Sequence, residues 1–165
     1  MKGLEKIQIM GFRAHIDDVG STLSWIDEIS GDCTIQLMNA PAVAGKKHAL
    51  HATLHALNAF QDGYNIAHNL GMEICLRTSA QRQISKAINI LGLKEGSMEI
   101  CAVVVGCDDS IIKKMEEFFK RDDDVLIPEE NTLKQIYGLS DLEIKSAGGL
   151  ISLILEKTTL LIIDK

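Results

Sequence analysis

Aromatic side chains are scarce in this sequence: one tryptophan, two tyrosines and four phenylalanines make up 4% of 165 residues. No obvious platform for stacking successive bases is present. Proline is scarcer still, with two residues beside thirteen glycines, which excludes collagen-like and proline-rich disordered chains. No apolar run reaches the roughly 18 residues that a membrane-spanning helix needs. The charged start Met1-Lys2-Gly3-Leu4-Glu5-Lys6 and the short apolar stretch after it do not resemble a signal peptide. A soluble, cytoplasmic protein is therefore expected. The four cysteines, Cys33, Cys75, Cys101 and Cys107, match neither a zinc ribbon nor a C-x-x-C redox motif. Three of them sit in apolar runs, where free cysteine behaves as a small hydrophobe, so reduced thiols are expected, with a Cys101–Cys107 bridge as the alternative. Also missing are G-x-S-x-G, a Walker A loop and G-x-G-x-x-G. Their absence removes the main positive argument for an enzyme.

What is present suits one compact domain spanning 1–165. Hydrophobic residues make up 46% of the chain, enough for a sizeable core. The net charge of −6 argues at first against nucleic acid, but it is unevenly distributed. Between Pro41 and Lys94 six basic residues face only Asp62 and Glu73, and four of the five histidines fall in the same window. Between Asp108 and Glu143 eleven acids face five bases. A basic middle and an acidic later third imply two different faces.

The patterning alternates strands and helices. Lys6 to Phe12 alternates apolar and polar residues as a half-buried strand does. Asp17-Asp18 offers an N-cap for a helix to about Ile29, and Cys33 to Met38 reads as a second strand. Pro41 to Phe60 predicts a long helix with Leu50, Leu54 and Leu57 on its core side. Met72 to Arg77 reads as a buried strand, Gln81 to Leu91 as a helix, and Met98 to Val105 as the strongest strand. An amphipathic helix over Ser110 to Lys120 follows, then a short one from Pro128 to Tyr137. Period alone does not separate helix from strand in the apolar tail, Gly149 to Ile163. Without strict βαβ repetition, the expected fold is α+β: a small, mostly antiparallel sheet covered by several helices.

Three constellations carry possible chemistry. His48, His51 and His55 share one helical face at i, i+3, i+7, spacing a metal site would want, though no carboxylate or cysteine is nearby in sequence. The paired carboxylates at Asp17-Asp18, Asp108-Asp109 and Asp122 to Asp124 all fall at helix ends; caps explain the first two, and the third reads as a surface break. The third constellation is Arg77-Thr78-Ser79-Ala80-Gln81-Arg82-Gln83-Ile84. Thr78 and Gln81 have the spacing of a capping box, so a helix start is expected there, with free N–H groups and two arginine forks suited to phosphate. Lys46-Lys47-His48 supplies a second basic cluster.

Two segments together resemble a known family. Val43-Ala44-Gly45-Lys46-Lys47-His48-Ala49-Leu50-His51-Ala52, followed by Met72-Glu73-Ile74-Cys75-Leu76-Arg77-Thr78-Ser79-Ala80-Gln81-Arg82-Gln83-Ile84, resembles the TPRKB family, the Cgi subunit of the KEOPS complex, and its archaeal members most. The ending Leu155-Glu156-Lys157-Thr158-Thr159-Leu160-Leu161 is similar to that family's terminal L-E-K-x-x-L-L. Lys86 departs from the pattern, standing where an acid is often found. The likeness is sharp over Val43–Leu54 and Met72–Gly92, and loose before Gly31 and from Met98 to Gly148.

The resemblance implies a non-catalytic subunit that docks on a small PRPK-like kinase/ATPase. It also implies capture of tRNA by its single-stranded 3′ CCA end, for threonylcarbamoyladenosine modification by another subunit. No cofactor and no metal are implied. Carried onto this chain, the tRNA surface is Lys46, Lys47, His48, Arg77, Ser79, Gln81, Arg82 and Gln83. The kinase contact is apolar: Leu150, Ile151, Ile154, Leu155 and Leu161. The mechanism expects Lys46 and Arg82 to meet beside a helix start. Two readings compete with this one: a metal-dependent enzyme using His48, His51 and His55, and a protein-interaction module without RNA.

Overall fold

The structure, a computed structural model, describes residues 6–161. Strand β1 is Ile7–Ile16, helix α1 Val19–Ser30 and β2 Thr34–Asn39. A 3-10 turn at Ala40–Ala42 leads into α2, Gly45–Asp62, then α3, Leu70–Ser79, and α4, Ile84–Leu91. After β3, Gly96–Val105, come α5, Asp109–Phe118, the short β4, Lys120–Arg121, and a second 3-10 turn, Asp123–Leu126. Helices α6, Glu130–Tyr137, α7, Asp141–Ala147, and α8, Leu150–Leu160, complete the described chain. The sheet order is β2-β3-β1-β4, and every pairing is antiparallel. The fold is α+β.

Strand period places the two cores. Along β3, Cys101, Val103 and Val105 join the core under α2, α3 and α4, while Ile100, Ala102 and Val104 join the core under α1 and α5. A third cluster packs Leu133 of α6 and Leu153 and Ile154 of α8 against Ala44 at the start of α2. Caps fix the ends of the α1 and α5 layer: Asp18 accepts the Ser21 N–H at 2.7 Å, and Asp108 accepts the Ser110 N–H at 3.0 Å. Gly11 lets the second 3-10 turn lie directly on β1, since a Cβ there would sit 2.5 Å from the Asp122 carbonyl oxygen. The Gly11 N–H also donates to Asp123 at 2.8 Å.

Several expectations need correction. Met72–Arg77 belongs to helix α3, not to a strand. That helix is buried on nearly all sides, so it carries no amphipathic period to distinguish it. The core side of α2 is Ala49, Ala52, Thr53, Ala56, Leu57 and Ala59. Leu50 and Leu54 point outward at 41% and 40% exposure. Small residues admit the neighbouring helix closely, and the larger leucines are left on the rim. The apolar tail is helical through Leu160, and its last residues, Ile162 and Ile163, lie outside the described residues. Cys33 and Cys107 form a disulfide, against the expectation of reduced thiols or a Cys101–Cys107 pair. Antiparallel pairing brings the residue before β2 beside the chain just after β3, a proximity that spacing does not reveal. Cys75 and Cys101 remain buried thiols.

Candidate nucleic-acid and partner interface

The two stretches with basic residues do come together, through buried groups. His48, in the first turn of α2, accepts the Ala44 N–H on Nδ1 at 2.8 Å and donates from Nε2 to the Thr78 carbonyl at 2.8 Å. It thus caps the start of α2 and satisfies a carbonyl at the end of α3. Burial pushes its pKa down to about 4, so the ring is neutral and works as a strut. Both nitrogens are committed and the ring is fully buried, so the three-histidine face does not form. His51 turns instead to the Thr159 hydroxyl at 3.0 Å. No cluster of three metal-binding side chains occurs among the described residues.

Arg77 is also internal, at 1% exposure. Its Nε and Nη2 both reach Glu73 Oε2, at 2.8 and 2.7 Å, while Glu73 Oε1 accepts the N–H groups of Ile66 and Ala67. The pair therefore anchors the loop between α2 and α3, and the Tyr64 ring lies 5.7 Å from the guanidinium. Ser79 is buried too, its hydroxyl donating to the Cys75 and Leu76 carbonyls. Thr78 spends its hydroxyl on the Ile74 carbonyl at 2.7 Å. These groups end a helix; they do not begin one. Ala80 closes α3 in the left-handed conformation (φ 55°, ψ 38°), and α4 starts only at Ile84 without a side-chain cap. The expected capping box at Thr78–Gln81 is absent. His48 and Arg77 support the loop from below with no open surface of their own, and Ser79, its hydroxyl spent internally, reaches the surface only as part of a cavity wall.

What reaches solvent is the rest of the set. Lys46 and Lys47 are exposed on the first turn of α2, and Arg82 and Gln83 are exposed on the loop before α4, with Gln81 half-buried. Lys46 lies 3.6 Å from Asp123, whereas Arg82 donates to the Leu161 carbonyl at 3.0 Å. The two cations thus contact different partners, one on the second 3-10 turn and one at the end of α8. Arg82 borders a cavity of about 290 Å³ lined by Ser79, Ala80, Gln81, Tyr137, Lys157, Leu160 and Leu161. Tyr137 is held as a wall by its hydroxyl, which donates to the Ala42 carbonyl at 2.6 Å. Sequence reasoning missed Lys157 and Tyr137 as wall residues. The only available signal was the position of Lys157 inside the L-E-K-x-x-L-L ending.

The expected kinase contact divides in the same way. Ile154 and Leu161 are buried in the protein's own core, and Leu150, Ile151 and Leu155 are half-buried. Leu50 and Leu54 add exposed apolar surface on α2, which the His51–Thr159 contact holds against α8. No helix among the described residues is long and apolar enough to cross a membrane.

Around these buried struts the antiparallel α+β fold leaves the cations Lys46, Lys47 and Arg82 and the leucines Leu50 and Leu54 exposed. Residues 15–161 match the model of the family described as "Kinase binding protein CGI-121". The chain is 34% identical over 130 residues to the regulatory protein Cgi121 of Methanocaldococcus jannaschii, covering 79% of this chain and 84% of that protein. The chain belongs to the CGI-121 family.

Proposed function

We propose that this chain is a non-catalytic KEOPS subunit that docks on a PRPK-like kinase/ATPase and captures tRNA by its 3′ CCA end for threonylcarbamoyladenosine modification. The observation that carries the tRNA half is the cavity between the Ser79–Gln81 loop and the end of α8, with Arg82 at its border and Lys157 in its wall. We assign this cavity of about 290 Å³ to the terminal nucleotide. The apolar wall of Leu160 and Tyr137 takes the base, and Arg82 and Lys157 neutralise the phosphodiesters that lead into the terminal nucleotide. Gln81 and Gln83 add hydrogen-bonding amides, and the exposed Lys46, beside Asp123, and Lys47 supply separate cations for phosphates elsewhere on the tRNA. His48, Arg77 and Ser79 serve as positioning groups that fix the loop.

Kinase docking falls to Leu150, Ile151 and Leu155, joined by Leu50 and Leu54 of α2. Two experiments test the two halves. A tRNA ending in a photoreactive 3′ nucleotide is expected to crosslink to residues 79–83 or 157–161; crosslinks confined to α1 or α5 refute the site. Leu54→Glu and Leu155→Glu are expected to abolish co-purification with the kinase while leaving the fold intact, and retention of the kinase by both refutes the docking surface.

A further inference from the structure

We propose that the Cys33–Cys107 disulfide is a thiol-exchange site, opened by small cationic thiols that enter the groove beside β2 and attack Cys33. The two sulfurs are not equivalent. Cys33 is half-buried and lines a groove of about 470 Å³ formed by Val19, Leu23 and Asp27 of α1, the outer edge of β2, and Leu70 and Met72 of α3. Cys107 is 1% exposed and is not part of that lining. An incoming thiol therefore meets Cys33 first, and attack there makes Cys107 the leaving group; burial slows its departure as a thiolate, so access and not leaving-group acidity decides which sulfur is attacked.

The exchange balances with the external thiol alone. Its thiolate forms a new S–S bond to Cys33 Sγ, the Cys33–Cys107 bond breaks, and Cys107 leaves as a thiolate that takes up a proton. A second thiolate attacks the outer sulfur of the mixed disulfide, freeing Cys33 and releasing the small-molecule disulfide. The structure already holds a place for the Cys107 thiol so formed, since its Sγ lies 3.7 Å from the Thr34 carbonyl oxygen. Cys75 also borders the groove, but burial pushes its pKa up to about 12, which leaves it protonated and slow to compete.

Charge selects the thiol. The groove lining contains Asp27 and no lysine or arginine, and Asp32 directly precedes Cys33. A cationic aminothiol is drawn in, and an anionic thiol is repelled.

The test uses the full chain purified without reductant, treated separately with cysteamine and with 2-mercaptoethanesulfonate, quenched in acid, alkylated and mapped by mass spectrometry. The mixed disulfide is expected on Cys33, with Cys107 recovered as the alkylated free thiol. Cysteamine is expected to react several-fold faster than the sulfonate, after each rate is normalised to attack on a small-molecule disulfide, and added salt is expected to shrink the gap. Adducts on Cys107, or equal adducts on both, overturn the assignment, as does finding both thiols free before treatment. Equal normalised rates overturn the charge preference. As a second arm, native Cys107→Ser protein offered cystamine is expected to be modified at Cys33, and native Cys33→Ser protein is expected to leave Cys107 unmodified. The reverse pattern refutes the proposal. Native fold in each variant is checked by circular dichroism.

Discussion

Arg77→Ala separates a structural arginine from an RNA-binding one. The substitution leaves the Glu73 carboxylate, which is fully buried, with its two backbone donors and no cation. Breaking a buried ion pair by removing one partner typically costs about 3–5 kcal/mol, because the remaining charge is uncompensated. Losing the Tyr64 contact adds to this. Set against a total stability on the order of 5–15 kcal/mol, the loss is large, and for a chain of this size it lowers Tm by about 10 °C. Urea unfolding followed by circular dichroism measures it directly. The double substitution Glu73→Leu with Arg77→Met is expected to recover much of the loss, since an apolar pair needs no desolvation of charge. If Arg77→Ala unfolds within about 0.5 kcal/mol of the parent, the range of ordinary surface changes, and tRNA binding alone is lost, the buried-pair reasoning is refuted.

Other outcomes follow from the same geometry. His48 titrates near 6.5 when unfolded and at about 4 when folded, so between these values the unfolded chain binds the extra proton and stability falls as pH drops. Unfolding measured at pH 7 and pH 5 is expected to show a loss of about 2 kcal/mol from this ring, and His48→Asn is expected to flatten that slope. Gly11→Ala forces the added carbon against the Asp122 carbonyl and Val125, backbone and side chain that cannot both yield, and is expected to cost about 1–3 kcal/mol in denaturant unfolding. Arg82→Glu and Lys157→Glu are expected to leave the unfolding midpoint nearly unchanged while weakening tRNA binding and flattening its salt dependence, read by filter binding across a salt series.

Much of the frame was legible in the sequence because it rests on period. The alternation in Lys6–Phe12 and the β-branched run Met98–Val105 located β1 and β3, and Asp18 marked the start of α1 as a cap does. The failures have a common cause. Where a segment is buried all round, period vanishes, and Met72–Arg77 reads as a strand for that reason although it lies within α3. Where alanine makes the packing face, the leucines mislead, as Leu50 and Leu54 did on α2. The candidate site suffered from a third effect. Charged and polar letters suggest surface, yet Arg77 and His48 are internal: Glu73 and Ala44 stand four residues away in sequence, but the burial of both pairs and the Thr78 carbonyl partner come only with the packing of α2 on α3. Motif spacing could not show that Thr78 and Ser79 end a helix, because their hydroxyls serve carbonyls of the preceding turn. Nor could it show the cavity, because two of its walls, Tyr137 and Lys157, come from distant elements.

The most direct test is a titration of the purified chain with intact tRNA and with the same tRNA stripped of its CCA end, at fixed salt. The account predicts that trimming weakens binding at least tenfold, about 1.4 kcal/mol or more, and that Lys157→Glu protein no longer distinguishes the two RNAs. Equal affinity of the parent protein for trimmed and intact tRNA contradicts it.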